Sequence, residues 1–190
     1  MAKRSPPAFV VRIFENIVRG EPWVNLITLD VDERWIIPGL DYNSKPLRGR
    51  IHLPPNNDPF IVSSWIAHEG GHFSSFYRHP SLKAMAIFER IIRSRHLPII
   101  MRALVRKIYY LVFWRQRMRE EIEAHKEEIR LLNKIGCPLQ AIRMSDEESD
   151  RLMPPMPYSG WIERIFRQRM QKIQDALTRQ AEKELAGEVN

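Results

Sequence analysis

The residues best suited to chemistry in this sequence lie in segment 68–72, which reads His-Glu-Gly-Gly-His. On a helix, residues four apart lie one turn above each other on the same face, so the imidazoles of His68 and His72 can converge on one metal ion. Glu69 points aside from these two ligands, where its carboxylate can take a proton from a water on that ion. The pattern therefore predicts a zinc ion as cofactor, with a general base beside it.

The segment around these residues predicts a helix over residues 59–77. Asp58 is a favourable N-cap residue, and a proline follows it at the first helical position, where proline is tolerated. The helix should end before Pro80, because the residue preceding a proline avoids helical geometry. Gly70 and Gly71 each cost up to about 1 kcal/mol relative to alanine inside a helix. We therefore expect another backbone or a substrate to lie close to them.

A catalytic zinc needs a third protein ligand and keeps its fourth position for water. A histidine shortly downstream is a poor candidate, because His79 lies one residue beyond the position in the pattern His-Glu-x-x-His-x-x-Gly-x-x-His. Better candidates lie in segment 119–128, which reads Arg-Glu-Glu-Ile-Glu-Ala-His-Lys-Glu-Glu. Glu121 and His125 are four residues apart and share a helical face, so either could reach the ion. Lesser candidates are Glu120, Glu123 and Glu128; for Glu120, Glu123 and Glu127 we favour solvated helix charges that pair with nearby arginine or lysine.

Together, the two segments resemble the zincin metallopeptidases, and within them the gluzincin branch. Members of that branch take their third zinc ligand from a glutamate on a later helix, in the setting Glu-x-x-Ala-Asp. The resemblance implies that Glu121 is this ligand, since residues 121–124 match the first part of the setting. His125 stands where the family has an aspartate that orients a ligand histidine. We expect His125 either to take over the orienting role or to bind the metal itself.

The resemblance covers about residues 24–135 and also implies how a substrate would lie. Zincins run an edge strand along the substrate cleft, just ahead of the motif helix, and residues 50–53 (Arg-Ile-His-Leu) occupy that place. An extended peptide would pair with such an edge by backbone hydrogen bonds. Gluzincins often stabilise the oxyanion with a tyrosine or a histidine. The sequence does not choose among the candidates, which are Tyr77, His79, Tyr109, Tyr110 and Tyr158.

The elements that must position these residues predict an α+β fold, minimal and zincin-like, mostly helical with a small N-terminal sheet before the motif helix. Segment 8–19 suits a helix or a strand, with the helix favoured. Strands are predicted over residues 24–37 and 50–53, with turn-forming residues at 38–43 between them. Further helices are predicted over residues 82–94, 99–134 and 160–185, the second of them ending at Gly136.

This organisation divides the chain into an N-terminal segment (1–23), a metal-binding domain (24–144), a linker (145–159) and an amphipathic C-terminal helix (160–190). The linker prediction rests on an acidic segment at 145–149 and a proline-rich segment at 153–157. An apolar stripe on the last helix usually packs on its own domain, but beyond a linker it could dock on a protein partner. The stripe comprises Trp161, Ile165, Phe166, Met170, Ile173 and Leu177.

The bulk composition narrows the class of protein. A single cysteine, Cys137, excludes an intrachain disulfide, and we expect it to be structural. The net charge of +7 is spread along the chain without a nucleic-acid-binding signature, so a nucleic-acid partner is not expected. The N-terminus does not read as a signal peptide, and Arg102 and Arg106 interrupt the apolar segment 97–114, which excludes a membrane span. We expect a soluble, cytoplasmic protein, or one carried in a virion.

Two functions of different classes follow. The first is a zinc-dependent metallopeptidase that hydrolyses a peptide or protein substrate, with His68, His72 and Glu121 as ligands and Glu69 as general base. The alternative is a zincin-fold structural or binding protein of a larger assembly, such as a phage particle, with a structural or vestigial metal site. Nucleic-acid binding rests on the basic charge alone.

Overall fold

The computed structural model of this protein describes residues 6–33, 35, 37–44, 47–78, 99–152 and 161–187, apart from the side chains of 43–44, 99–111 and 161–163. This part of the chain is mostly helical and contains a three-stranded sheet near its N-terminus, so the predicted α+β class is confirmed. Some predictions lie outside the described residues: the helix at 82–94, the proline-rich segment 153–157, His79, Tyr158, and the side chains of Tyr109, Tyr110 and Trp161.

Five α-helices lie in the described residues: α1 (Ala8–Val18), α2 (Pro59–Arg78), α3 (Ile99–Lys134), α4 (Gln140–Leu152) and α5 (Trp161–Leu185). The predictions of α1, α2, α3 and α5 are confirmed to within a residue at each end. Helix α3 closes as expected on Gly136, which has a φ of +67°. The amide of Cys137 donates to the carbonyl of Leu132, and that of Gly136 donates to Asn133, the pair of bonds that glycine-terminated helices commonly form.

Helix α4 corrects the prediction of a linker over residues 145–159, because residues 145–152 are helical. Its acidic side chains lie wholly or partly in solvent, whereas Ile142 and Ser145 are buried. The helix packs on α2, where the indole of Trp65 donates to the hydroxyl of Ser149 at 3.0 Å. An acidic face is therefore one side of an amphipathic helix here, with the opposite side covering the core.

The sheet consists of β1 (Ile27–Val31), β2 (Gly39–Ser44) and β3 (Leu47–Leu53), in the order β1-β3-β2. β1 runs parallel to β3, and β2 runs antiparallel to it. The first predicted strand is shorter than expected, because Val24–Leu26 form a turn of 3-10 helix. The register places Gly49, Ile51 and Leu53 on the side of the core.

The prediction of an edge strand at residues 50–53 is wrong, because this segment is the centre of the sheet. Arg50 lies opposite Thr28 of β1 on one side and opposite Asp41 of β2 on the other. The prediction of a turn at 38–43 is also wrong, since these residues begin and form most of β2. Turn-type residues are tolerated there because β2 is an edge strand, where proline and glycine are accepted at the start and Asp41 faces solvent.

Helix α2 lies at the centre of the molecule, between the sheet and α1 on one side and α3 and α4 on the other. Its start is fixed by the predicted N-cap, because Oδ1 of Asp58 accepts hydrogen bonds from the amides of Phe60 at 2.8 Å and Ile61 at 3.3 Å. Burial extends round most of its circumference between Val62 and Phe76, with Ile66 and Ala67 fully buried, whereas Phe60 and Tyr77 near its ends are exposed. Such a helix is rigid enough to hold a site to a fixed geometry.

The C-terminal helix α5 packs on α3. Of its predicted apolar stripe, Phe166 and Met170 are buried, and the ring of Phe166 meets Trp114 edge to face with centroids 5.0 Å apart. These two residues of the stripe therefore pack within the chain, whereas Ile165 stays exposed. No helix among the described residues is long and apolar enough to cross a membrane.

Candidate metal centre

Polar side chains face each other across part of the interface between α2 and α3. On α2, Ser64, His68 and His72 lie one turn apart, and on α3, Glu121 and Glu128 lie two turns apart. The two helices run in opposite directions, so Ser64 meets Glu128 at one end and His72 meets Glu121 at the other. The α-helical spacing thus places these five polar side chains along one line of contact between α2 and α3, which we call the seam.

His68, His72 and Glu121 come together at one end of this seam. Their ligand atoms all lie within 4.8 Å of one another. Nε2 of His68 is 3.7 Å from Oε2 of Glu121, and Nε2 of His72 is 3.5 Å from the same oxygen. In a tetrahedral zinc site with bonds of about 2.0–2.1 Å, neighbouring ligand atoms lie about 3.3 Å apart. Two imidazole nitrogens and one carboxylate oxygen at these separations fit a zinc ion with small contraction.

The other oxygen of Glu121 is held by Arg117, whose Nη2 lies 2.8 Å from Oε1. Burial favours the neutral carboxyl, but the charges of Arg117 and of the two histidines outweigh it and hold the pKa of Glu121 well below its ordinary value. Glu121 is therefore ionised and presents a single oxygen to the histidines. Arg117 was not predicted to belong to the site. Its position one turn before Glu121 on the same helix could have indicated this ion pair from the sequence.

Glu128 lies behind His68, and it accepts three hydrogen bonds. Its Oε1 accepts from the hydroxyl of Ser64 at 2.5 Å, and its Oε2 lies 3.0 Å from Nδ1 of His68 and 3.1 Å from Nδ1 of His125. Burial raises the pKa of Glu128, but His68 and His125 outweigh it and lower the pKa to about 2. Since an ionised carboxylate can only accept, Nδ1 of His68 carries a proton and its Nε2 is the nitrogen turned toward Glu121.

His68 is flanked by carboxylates on both sides. Burial lowers its pKa, but the charges of Glu128 and Glu121 and the hydrogen bond to Glu128 outweigh this and raise the pKa well above its ordinary value. The seam is thus a place where positive charge is stabilised between His68 and Glu121. A metal ion would take the position that a proton otherwise favours.

His125 was predicted as a ligand or an orienting residue, and the structure places it away from the His68, His72 and Glu121 group. Its Nδ1 faces Glu128, and its Nε2 faces the hydroxyl of Thr178 at 3.0 Å. A second set of ligand atoms within 4.8 Å consists of His68, His125 and Glu128. The carboxylate that orients His68 is therefore Glu128, with His125 on its far side.

Gly71 of the motif allows α2 and α3 to approach each other closely. A Cβ on Gly71 would overlap the carbonyl oxygen of Ala124 and lie 3.1 Å from its C and Cα atoms. Ala124 is itself fully buried, so both helices are at their smallest side chains where they cross. The expectation of a backbone close to the glycines is confirmed for Gly71. A Cβ on Gly70 would meet only side chains, those of Trp23 at 3.3 Å and Leu131 at 3.8 Å.

Glu69 and His72 open onto a cleft of about 220 Å³. One wall consists of β2 and the residues before it, including Leu40 and Tyr42, and the other contains Arg117 and Glu120. Glu69 is buried beside the cleft, and no hydrogen bond or ion pair to another described residue holds its carboxylate. It is therefore able to accept a proton from a molecule in the cleft.

The other residues that the sequence offered as ligands or catalytic groups lie outside the metal centre or are paired with arginine or lysine. Glu123 pairs with Lys126 at 2.9 Å on the exposed side of α3, which agrees with the solvated interpretation. Glu127 pairs with Arg78 and Arg130 as expected, but it is buried, so the prediction of a solvated charge is wrong for this residue. Tyr77 is exposed and does not line the cleft, and Glu120 does line it. Cys137 is half-buried, and burial raises the pKa of its thiol, as expected of a packing residue.

Sequence reasoning treated Glu128 as a lesser metal ligand and did not single out Ser64. The signal for Glu128 is present, because Glu121, His125 and Glu128 fall at positions i, i+4 and i+7 of one helical face. The signal for Ser64 is equally regular, one turn before His68. Which oxygen faces which histidine depends on the register between α2 and α3.

Comparisons with protein-family models, with curated protein sequences and with solved structures found no match to this chain. Function is therefore inferred from the side chains and their arrangement.

Proposed function

We propose that this protein is a zinc-dependent metallopeptidase, a small member of the gluzincin branch of the zincins. The observation that carries the proposal is the convergence of His68, His72 and Glu121 within 4.8 Å. The two helices that hold them carry His-Glu-x-x-His and the first part of the Glu-x-x-Ala-Asp setting. The two nitrogen-to-oxygen separations of 3.5 and 3.7 Å are close to the edge of a zinc tetrahedron.

Each residue has a distinct part in this proposal. Glu128 keeps Nε2 of His68 free by binding its Nδ1, and Arg117 keeps one oxygen of Glu121 turned to the histidines. Zinc supplies Lewis acidity, which lowers the pKa of a coordinated water to about 7 and polarises a carbonyl group. Glu69 would accept a proton from the water as the water oxygen bonds to the carbonyl carbon of the peptide, and it would pass that proton to the amine nitrogen as the C–N bond breaks.

The substrate in this proposal is an extended peptide that lies along β2. This strand is an edge of the described sheet, because β3 pairs with it on one side only. Its residues Leu40 and Tyr42 line the same cleft as Glu69 and His72. Backbone hydrogen bonds to β2 would hold the chain, with a carbonyl carbon near the ligand group. The edge strand is thus β2, in place of the segment 50–53.

The first test is metal content and affinity. Purified protein is expected to bind one zinc per chain, as measured by elemental analysis and by competition with a chromophoric chelator. His68→Ala and His72→Ala should each abolish this binding, and Glu123→Ala on the exposed face of α3 is the matched control. Wild-type protein that binds no zinc after reconstitution would end the proposal.

The second test separates catalysis from metal binding. Glu69→Gln keeps the size of the side chain and removes the base, so it should bind zinc as the wild type does and lose about 10²–10⁴-fold in kcat. The assay is cleavage of a diverse pool of unfolded peptides, followed by mass spectrometry. If zinc binds and no peptide is cleaved, or if Glu69→Gln cleaves at the wild-type rate, the site is better explained as structural, in a protein of a larger assembly.

A further inference from the structure

The middle of helix α5 makes a polar contact with α3 that apolar packing does not require. Nε2 of His125 lies 3.0 Å from the hydroxyl of Thr178 and 3.2 Å from the carbonyl oxygen of Gln174. Both side chains are buried, with His125 1% and Thr178 3% exposed. Polar groups in a core are unfavourable unless they are hydrogen-bonded, so this contact fixes both the ring and the position of α5 along α3.

The same histidine connects α5 to the metal centre through one carboxylate. Nδ1 of His125 lies 3.1 Å from Oε2 of Glu128, and that oxygen lies 3.0 Å from Nδ1 of His68. Since a carboxylate only accepts, both histidines donate to the same oxygen. Glu128 therefore has its position set from two sides, by a residue of α2 and by a ring that α5 holds.

We propose that α5 is a working part of the metal centre, in which Thr178 and Gln174 hold His125, His125 positions Glu128, and Glu128 orients His68 for the metal. This inference rests on the proposed zinc site. It makes His125 a positioning residue, and it gives α5 a part in metal binding in addition to its packing on α3. By linkage, if docked α5 favours zinc binding, then zinc binding must favour docked α5 to the same extent.

A purely structural role for His125 predicts a different pattern. In that case, replacing it would change the stability of the folded chain and leave the zinc affinity of the folded state unchanged. In the coupled arrangement, loss of the ring frees Glu128 to move, and the Nε2 lone pair of His68 loses its fixed direction. Groups that orient metal-binding histidines typically contribute about 10–100-fold to metal affinity.

The experiment measures zinc affinity of full-length variants by chelator competition, with stability of the zinc-free forms followed in urea. His125→Leu is expected to weaken zinc binding by about tenfold or more. Thr178→Val, which keeps the volume and removes the hydroxyl, should weaken it less, and Thr178→Ser should restore it. Arg143→Ala is the control, because it removes the exposed ion pair between Arg143 of α4 and Glu182 of α5 and leaves His125 untouched.

A second readout does not depend on substitutions. Hydrogen exchange followed by mass spectrometry should show that zinc slows exchange in the α5 peptide containing residues 174–178. Because Thr178→Val conserves shape, this variant keeps the test valid if His125→Leu does not fold. In Thr178→Val, the protection of α5 by zinc should be smaller than in the wild type.

The outcomes separate this inference from the proposed function. If the wild type binds one zinc and both His125→Leu and Thr178→Val bind it equally well, with no zinc-dependent change in α5, the coupling is refuted and the zinc site stands. Binding of two zinc ions per chain would also refute it, because His125, His68 and Glu128 would then form a second site. A wild type that binds no zinc would refute both.

Discussion

Replacement of Gly71 by alanine tests whether the approach of α2 to α3 builds the metal centre. The added Cβ would overlap the carbonyl oxygen of Ala124, which belongs to a backbone and cannot rotate away. The helices must therefore separate by at least about half an ångström, and overpacking of this kind costs about 1–3 kcal/mol. Alanine regains about 1 kcal/mol of helix propensity. The net loss of stability is therefore small, about 0–2 kcal/mol.

The effect on metal binding should be larger than the effect on stability. Glu121 lies one turn from Ala124 and moves with it, while His68 and His72 stay on α2. The separations of 3.5 and 3.7 Å from Glu121 to the two histidines would grow to about 4.0–4.2 Å, against about 3.3 Å in a zinc tetrahedron. Zinc affinity is expected to fall at least tenfold, by the scale of other changes that displace a ligand.

Gly70→Ala is the matched control, since it makes the same chemical change one residue earlier. Its Cβ would contact the ends of Trp23 and Leu131 at 3.3 and 3.8 Å, and side chains can adjust by a few tenths of an ångström. This variant should keep wild-type zinc affinity and have a free energy of unfolding within about 1 kcal/mol of the wild type. Chelator competition and urea denaturation measure both quantities. If Gly71→Ala binds zinc as tightly as Gly70→Ala, the steric explanation of the glycine pair is wrong.

Two further predictions concern buried polar groups outside the ligands. Burial raises the pKa of Glu21, but hydrogen bonds from two cations of α3, Arg130 among them at 2.7 Å, outweigh burial and lower the pKa below 4.5. The ionised Glu21 therefore stabilises the fold above pH 4.5, and this stabilisation is lost as the pH falls through the lowered pKa. Glu21→Gln should therefore lower the free energy of unfolding, measured in urea at pH 7, by about 1.5–3 kcal/mol. The difference in this free energy between the variant and the wild type should shrink below pH 4.5, and a difference that stays constant with pH would contradict the prediction. Ser64→Ala removes a 2.5 Å hydrogen bond to Glu128 and should cost about 1–3 kcal/mol with weaker zinc binding. Ser63→Ala is the control, because the hydroxyl of Ser63 donates to the carbonyl of Pro59 within α2 and does not contact Glu128. It should change neither quantity by a comparable amount, and equal effects of the two variants would count against the seam.

The local sequence determined most of the helical part of this fold. An Asp-Pro start, a 3.6-residue period and a glycine stop are short-range signals, and they placed α2 and α3 to within a residue. The same signals failed for α4, where the acidic residues 146–148 suggested a linker. Charge along a segment reports its exposed side only, and the opposite side carries Ile142 into the core.

The sequence also determined which residue types could hold a metal, because one-turn spacing on a helix is a local property. It could not decide between Glu121 and His125, which share a face of α3. The crossing of α2 and α3 at Gly71 and Ala124 places Glu121 with His68 and His72, and it places His125 with His68 and Glu128 in a second set of possible ligands. The order of the strands could not be predicted from the sequence either, because the order β1-β3-β2 depends on pairing between distant segments. Helical spacing fixes the face on which a residue lies, and only the packing of one helix on another fixes what that face meets.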